Sequence, residues 1–354
     1  MSLYGWIRYV AATYRAMQSE WKRNYRYHGG IRAVARCVLG TAAIKVGAAT
    51  CKPEHDGRVD CITFSVVPKM TALWSRFIKA AISTPTNVIV GDCSGGYPRG
   101  RCGERADTVL PVLNYDHGKK LDLFMERVCR AGYVLVSDDD IFFMDEIPWN
   151  WATEQLESNP NAAVVSLHPR IQVSSVMRET VSQPMGSHCL VVRRDIWLAE
   201  KLSFRADRSP LSQGYNWPYD TADLANVELL RRGYDVVIAP PDICAHLTAF
   251  EGVSTWTLKI QKRRGDILEN VQGVPLRQEK ALATVLFARG VSQIIAEEFP
   301  GEPNPHLIAP ALLDRAEGVC KSLLGQDAIR KVTSDVEQSL QRIRNRLSAM
   351  STQV

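Results

Sequence analysis

The stretch YVLVSDDDIFF, from Tyr133 to Phe143, places three consecutive aspartates between two apolar runs. YVLVS predicts a buried strand, and Asp138, Asp139 and Asp140 follow where that strand should end. Carboxylates held this close repel one another, and burying them is costly unless something positive lies among them. The stretch therefore indicates a divalent cation at the end of a strand, because carboxylate oxygens are ligands that Mg²⁺ and Mn²⁺ prefer.

Strand and helix patterns alternate on either side of this stretch. Such alternation predicts an α/β fold with a mostly parallel, Rossmann-like sheet between helices, in which ligands bind at the carboxyl ends of strands. Asp92 and the three aspartates fall at such ends. From Pro275 onward the pattern is mostly helical, which predicts a helical C-terminal extension. We expect strands over 61–67, 87–92, 108–113, 133–137, 162–167, 187–194 and 234–239, and helices over 71–82, 118–132 and 222–233.

The composition is that of an ordinary folded protein. The 354 residues are enough for an α/β domain and a smaller appendage. The nine cysteines are scattered, with no CxxC pair and no Cys/His cluster at zinc spacing. This distribution favours reduced thiols in a cytosol over a disulfide framework or a structural zinc. The segment 33–49 is too short and too charged for a spanning helix, and the first residues lack the order of a cleavable signal.

The N-terminal arm combines positive charge with aromatic side chains. Residues 1–50 contain eight Arg and Lys residues against one acid, Glu20, in a chain of net charge +5. This mixture is typical of a segment that contacts an anionic membrane surface, and a helical face around an aromatic core contact is the alternative. We expect a cytoplasmic protein, peripheral on the inner face of a membrane, without a nucleic-acid partner. The aromatic residues are Tyr4, Trp6, Tyr9, Tyr14, Trp21, Tyr25 and Tyr27.

Five short matches, in order between about Cys61 and His246, make the chain resemble the GT-A glycosyltransferases. The likeness is to the large, mostly inverting family (family 2) that uses nucleotide-diphosphate sugars. FSVVPKMTALWSRFIKAAI resembles its opening strand, proline turn and helix, IVGDCSGG its second strand with an acidic turn, and VLVSDDDI its DxD strand. GSHCLVVRRDIWL resembles the acceptor strand, and YDTADLANVELLRRGYDVVIAPPDICAH resembles the acidic helix start, the Gly-Tyr turn and the late histidine.

The resemblance implies a metal-dependent transfer of a sugar from a nucleotide diphosphate to a hydroxyl. The donor would be a UDP-sugar, the acceptor a glycan or a lipid-linked molecule, and the transfer inverting. Asp92 would bind the base, in a pocket that Pro68 and Lys69 line with backbone. Asp138 would face the ribose or the base edge.

The same resemblance places a metal and its neighbours at the diphosphate. Asp138 and Asp140 would ligate Mn²⁺ or Mg²⁺, with Asp139 between them in the donor site. His246 would be a further metal or diphosphate contact, or else a satisfied histidine at a strand end. The leaving diphosphate gains negative charge, which fixed cations stabilise. The candidate cations are Lys119, Arg193, Arg194 and the run Lys262, Arg263 and Arg264.

Inverting transfer needs a general base within hydrogen-bond reach of the acceptor hydroxyl. The family places that carboxylate at the start of the helix after the acceptor strand, usually as Glu-Asp or Asp-Asp. Here the segment YDTAD, 219–223, lacks such a pair, so Asp220 is the first candidate and Asp223 the second. Either aspartate could instead cap the helix predicted over 222–233.

The predicted organisation is an arm over 1–58, a catalytic domain over 59–250 and a helical region over 251–354. Near the C-terminus, apolar residues from Ile329 to Met350 recur at spacings of three or four, which favours a homodimer, with packing on the chain's own domain as the alternative. Two other functions remain open. A sugar-phosphate nucleotidyltransferase shares the sheet and the carboxylates, but the turn PKMTALWSR lacks its glycine-rich loop. A non-enzymatic membrane or polyanion adaptor leaves the three aspartates unexplained.

Overall fold

The computed structural model describes residues 30–49, 59–96, 106–168, 170, 174–182, 184–250, 252–302 and 304–352. Most of the N-terminal arm, residues 1–29 and 50–58, lies outside this part of the chain. The strands are β1 (Val59–Ser65), β2 (Thr86–Asp92), β3 (Thr108–Pro111), β4 (Tyr133–Ser137), β5 (Ile141–Phe143), β6 (Ala162–Ser166), β7 (Cys189–Arg193), β8 (Asp235–Ile238) and β9 (Leu247–Ala249).

The helices alternate with these strands and then continue alone to the end of the described chain. They are α1 (Gly30–Lys45), α2 (Met70–Ala81), α3 (His117–Arg127), α4 (Ile147–Ser158), α5 (Ser175–Thr180), α6 (Arg194–Ala199), α7 (Ser209–Ser212), α8 (Asp223–Arg231), α9 (Pro241–Cys244), α10 (Val253–Lys262), α11 (Leu268–Val271), α12 (Pro275–Glu298), α13 (Pro310–Leu323) and α14 (Gln326–Ser351). None of these helices is long and apolar enough to cross a bilayer.

The main sheet has seven strands in the order β3-β2-β1-β4-β7-β6-β8. The first four are mutually parallel, β6 and β8 are parallel to each other, and β7 runs antiparallel to both of its neighbours. The predicted α/β architecture is confirmed, with a mostly parallel sheet, flanking helices and a helical C-terminal extension. All seven predicted strands are present. The apolar runs of the central strands are buried on both faces of the sheet, whereas β3 and β8, at its two edges, are half-buried or exposed.

The direction of β7 decides which residues can meet. Tyr133 pairs with Arg193, whereas Ser137 pairs with Cys189. The start of β7 therefore lies at the carboxyl end of β4, and the end of β7 lies at the opposite edge of the sheet. At about 3.3 Å per residue, the two edges are about 13 Å apart along β4.

A second, two-stranded sheet lies between the main sheet and the C-terminal helices. β5 directly follows the three aspartates and pairs antiparallel with β9. Phe142 of β5 packs edge-on against Phe77 of α2, with ring centroids 5.2 Å apart, and Phe250 stacks on Phe287 of α12 at 3.7 Å. The C-terminal helices thus belong to the same apolar core as the main sheet.

The C-terminal apolar stripe is covered within the chain. α14 packs along α12, and a Cβ added at Gly290 of α12 would lie 2.2 Å from Leu340 Cδ1. The stripe that favoured a homodimer is therefore used for packing on the chain's own domain, since Gly290 lets the two helices approach closely. The buried stripe residues are Val332, Val336, Leu340, Ile343, Leu347 and Met350.

Candidate functional site

Chemically active side chains gather at the carboxyl edge of the main sheet. Asp92 ends β2, and Asp138 follows β4. His168 follows β6, which runs in the same direction as β4, and His188 precedes the antiparallel β7. Residues from four strands therefore meet at one edge, at the place where open α/β sheets bind their ligands.

Asp138 is half-buried, and it is the least buried of the three aspartates. Its Oδ2 lies 2.9 Å from His188 Nδ1, and the Asp138 and His188 side chains are 35% and 46% exposed. Burial disfavours the charged carboxylate, but the His188 hydrogen bond and the attraction of nearby imidazoles, including His117, outweigh it. The pKa of Asp138 is therefore below its ordinary value, and the carboxylate stays ionised.

Asp139 and Asp140 point into the protein. Burial raises the pKa of Asp139 to about 7, although the Ser65 hydroxyl bonds to its carboxylate. Burial also raises the pKa of Asp140, and the charges of its two neighbours add to the shift. Asp140 Oδ2 accepts a hydrogen bond of 3.3 Å from Val253 N–H, the first residue of α10. Asp140 thus ties the end of β4 to α10 in this structure.

The donor set fits a metal that is shared with a substrate. Within the described residues, no three acidic, histidine or cysteine side chains converge as an all-protein metal cage requires. Mg²⁺ commonly takes only one or two carboxylates and completes its shell with phosphates and water. Asp139 Oδ2 is buried without a hydrogen-bond partner, so this carboxylate has spare capacity. Asp138 and Asp140, on either side of it, are the residues that would supply oxygens to such a metal.

A cleft of about 220 Å³ opens at the carboxyl end of β1. Pro68 and Lys69, which the family resemblance assigns to the donor pocket, are among the residues that line this cleft. Lys69 Nζ donates to the carbonyl oxygens of Asn304 and His306, which form part of the opposite wall. Ser65, which precedes Val66 of this lining in the sequence, bonds to Asp139. The remaining lining residues are Val66, Val67, Gly96, Gln261 and Leu307.

Asp92 organises the loop that follows β2. Its Oδ1 accepts hydrogen bonds from Ser94 N–H at 2.9 Å, Ser94 Oγ at 2.6 Å and Gly95 N–H at 3.1 Å. Its side chain is fully buried. Asp92 therefore shapes the turn leading to Gly96, which lies on the cleft wall. The hydrogen bond that the Asp92 carboxylate is expected to accept from a base stays a prediction.

The two candidate bases share one arginine. Arg170 donates to Asp223 Oδ1 and lies 3.4 Å from Asp220 Oδ2. Asp223 is 1% exposed, whereas the Asp220 side chain is 70% exposed. Asp223 Oδ2 also accepts a 2.8 Å hydrogen bond from Asp220 N–H. Burial raises the pKa of Asp223, and the Arg170 charge opposes that shift.

The start of α8 explains why these aspartates differ. Ala222 precedes the helix with φ of 69°, in the left-handed region, and it makes no side-chain cap. Asp223 is the first helical residue, and its side chain turns back to the backbone of Asp220. Neither aspartate is the N-cap residue, so the capping alternative does not describe this helix start. Asp223 holds the loop, and Asp220 is presented to solvent.

Three predicted site residues lie apart from this cluster. Arg194 follows β7 at the opposite edge of the sheet, where its Nε donates to Met125 O at 2.9 Å. Lys119 lines a second cleft, of about 180 Å³, with Lys45 and Arg205. His246, directly before β9, has its Nδ1 2.6 Å from Asp145 Oδ2. The structure does not bring Arg194 to the aspartates, because the antiparallel direction of β7 carries it away from them.

Several neighbours of the aspartates are not evident from the sequence motifs. His117 at the start of α3 is packed edge-on to Phe64, and burial lowers its pKa to about 4. Lys120 is buried between Cys93 Sγ, at 3.3 Å, and Asn114 Oδ1, at 3.1 Å. The only sequence signal for Lys120 is its place one helical turn after Asp116, the N-cap of α3. Lys120 places a positive charge beside Cys93, the residue that follows Asp92 at the carboxyl edge of the sheet.

Comparison with known proteins gives similar glycosyltransferase structures. LgtC with donor and acceptor sugar analogues is 13% identical, with a TM-score of 0.32, over 51% of this chain and 73% of that chain. Glucosyl-3-phosphoglycerate synthase from Mycobacterium tuberculosis, in complex with Mn²⁺, UDP and glucosyl-3-phosphoglycerate, is 11% identical with a TM-score of 0.35, over 63% and 82%. GlyE of Streptococcus pneumoniae TIGR4 is 10% identical with a TM-score of 0.29, over 81% and 64%.

No protein-family model and no curated protein matches the chain. At these identities, function has to be inferred from the residues of the site itself.

Proposed function

We propose that this protein is a glycosyltransferase that transfers a sugar from a nucleotide diphosphate, UDP in the first instance, to a hydroxyl group. The observation that carries the proposal is the cleft at the end of β1, whose lining starts at Val66, next to the Ser65 that bonds to Asp139 of the three aspartates. A nucleotide needs such a cleft for its base and ribose, and its diphosphate needs a cation held by carboxylates. The motifs from FSVVPK to the late histidine support the same assignment.

The donor would enter with its base between Pro68 and the loop shaped by Asp92. Lys69 forms part of that wall, together with the carbonyls of Asn304 and His306. The ionised Asp138, held by His188, would face the ribose or the metal. Mn²⁺ or Mg²⁺ held by Asp138 and Asp140 would neutralise charge on the diphosphate. A donor fixed in this way would have to present its anomeric carbon towards the loop that carries Asp220.

Asp220 is the proposed base of an inverting transfer. Its carboxylate would take the proton from the acceptor hydroxyl while the hydroxyl oxygen bonds to the anomeric carbon and the diphosphate leaves. Asp220 is solvent-exposed, so an acceptor can reach it, whereas Asp223 is closed off by Arg170. Asp223 and Arg170 then act as positioning residues, because they hold the backbone and the side chain of Asp220.

The proposed acceptor is a glycan or a lipid-linked molecule at the cytoplasmic face of a membrane. The basic and aromatic residues of the segment 1–50 support this location, because they suit an anionic lipid surface. All the residues that we assign to donor binding and catalysis follow Val59 in the sequence.

The test is incubation of the full chain with a panel of nucleotide sugars, with and without Mn²⁺ or Mg²⁺. A glycosyltransferase releases free nucleotide diphosphate from one or a few donors, and EDTA abolishes the release. A nucleotidyltransferase would instead consume a nucleoside triphosphate and release pyrophosphate. Asp138→Asn should weaken donor binding, and Asp314→Asn, on the distant α13, serves as the control. Absence of nucleotide diphosphate release with every donor and metal would refute the proposal.

A further inference from the structure

The outer face of α1 is apolar and exposed. Ile31, Leu39 and Val46 are 69%, 70% and 78% exposed, the three highest values among the large hydrophobic residues of the described chain. Val46 extends the helix by one residue, since its N–H donates to Ala42 O at 3.1 Å. Single exposed hydrophobic residues are ordinary, but three on one helix face form a contact surface. We name this surface the outer face of α1. It consists of the exposed Ile31, Leu39 and Val46 and the half-buried Ala35, Val38 and Ala42, and Val38 also packs against the buried cluster around Cys37.

Basic residues flank the outer face. At about 100° per residue, the six positions cover an arc of about 100°, and Arg32 and Lys45 fall directly at its two margins. Both side chains are exposed. An apolar stripe between cations is the pattern of a helix that lies in a lipid interface, with its apolar side among acyl chains and its cations at anionic headgroups.

The opposite face fixes α1 to the catalytic sheet. Cys37 Sγ contacts Asp92 O at 3.5 Å, and Thr41 Oγ1 accepts a 2.9 Å hydrogen bond from Leu113 N–H. Arg36 donates to Gly95 O at 3.0 Å. These partners lie at the carboxyl ends of β2 and β3. Movement of α1 relative to the candidate site would break these contacts, so a surface bound to the outer face has a fixed position relative to the site.

We infer that the outer face of α1 is the docking surface for an anionic lipid bilayer, and that docking holds the carboxyl edge of the sheet at the membrane. The inference rests on the proposed function only in what docking achieves, namely presenting the site to a lipid-linked acceptor. The residues before α1 favour lipid as the occupant. In the sequence, residues 1–29 contain five Arg and Lys residues, two tryptophans and five tyrosines, and such residues partition to membrane interfaces.

The test measures co-flotation of the full chain with vesicles of phosphatidylcholine alone and with vesicles that also contain roughly 30% phosphatidylglycerol, an anionic lipid. We expect binding to the anionic vesicles that weakens in high salt. Leu39→Glu and Val46→Glu should each weaken this binding by about tenfold or more, because each removes an apolar side chain that would enter the acyl region of the bilayer and adds a charge that the anionic headgroups repel. Leu276→Glu is the matched control, since Leu276 is a 47% exposed leucine on another helix.

Two outcomes would overturn the inference. One is equal vesicle binding by Leu39→Glu, Val46→Glu and the unchanged chain. The other is absence of vesicle binding, and light scattering then distinguishes a second copy on this face, which Leu39→Glu would dissociate, from cover by the chain's own residues. Vesicle binding needs no donor, so its failure is separate from failure of the sugar-transfer proposal. Unchanged thermal unfolding of both variants confirms that they remain folded.

Discussion

Asp223→Asn should destabilise the fold, whereas Asp220→Asn should stop the transfer and leave the fold intact. Asp223 faces Arg170, whose side chain is only 13% exposed, and breaking a buried ion pair of this kind costs about 3–5 kcal/mol. Two effects reduce this cost in Asp223→Asn. Arg170 still pairs with Asp220 at 3.4 Å, and the neutral asparagine does not require burial of a negative charge, which is what raises the pKa of Asp223. We therefore expect a loss of about 2–3 kcal/mol, which lowers Tm by roughly 3–4 °C for a chain of this length.

Asp220→Asn should behave in the opposite way. The Asp220 side chain is 70% exposed, so the change should alter stability by less than about 0.5 kcal/mol. Loss of a general base should lower kcat by about 10²- to 10⁴-fold and leave donor binding nearly unchanged. Asp314→Asn is the matched control, because Asp314 is also 70% exposed and also pairs with one arginine, Arg289.

Two measurements decide between these roles. Urea unfolding followed by tryptophan fluorescence gives the stability of each variant, and nucleotide diphosphate release in the presence of acceptor gives kcat. Calorimetric titration with UDP and Mn²⁺ gives donor binding. An Asp223→Asn protein of unchanged stability and no turnover, together with an active Asp220→Asn protein, would reverse the assignment. If both variants turn over normally, inversion through this segment is refuted.

Further predictions concern the metal, the helix packing and pH. Asp140→Asn should remove most of the turnover that EDTA also removes, and near-normal metal-dependent activity would contradict its role as ligand. Gly290→Ala should lower the free energy of unfolding in urea by about 1–3 kcal/mol, because its Cβ would lie 2.2 Å from Leu340. Leu340→Ala should relieve that clash. Additive effects of the two changes in the double variant would contradict the packing. The pKa of His117 is lowered to about 4, so its stabilising contribution, complete above pH about 6.5, should be lost as pH falls towards 4. Between pH 7 and pH 4, the free energy of unfolding of His117→Gln should therefore fall by up to about 3 kcal/mol less than that of the unchanged chain.

The sequence by itself determined the elements and the position of the acidic residues in them. YVLVS and NVIVGD are continuous apolar runs, and such runs become buried strands because only a sheet covered on both faces removes them from water. Strand alternation with helices then brings Asp92 and Asp138 to one edge, since parallel strands end on the same side. The apolar stripe of the last helix was equally visible, because its period is that of a helix with one buried side.

The tertiary structure alone decided which side chains meet. The run SHCLVVRR has the same apolar pattern in either strand direction, so only its antiparallel pairing with β4 shows that His188 joins Asp138 and that Arg194 does not. The apolar stripe of α14 has the same period whether it packs in a dimer or within the chain. Gly290 decides for packing within the chain, because it lets α12 approach α14 closely at Leu340. Arg170 stands about fifty residues before Asp220 and Asp223. Local pattern fixes which face of an element is dry, whereas pairing between distant segments depends on the packing of the whole core.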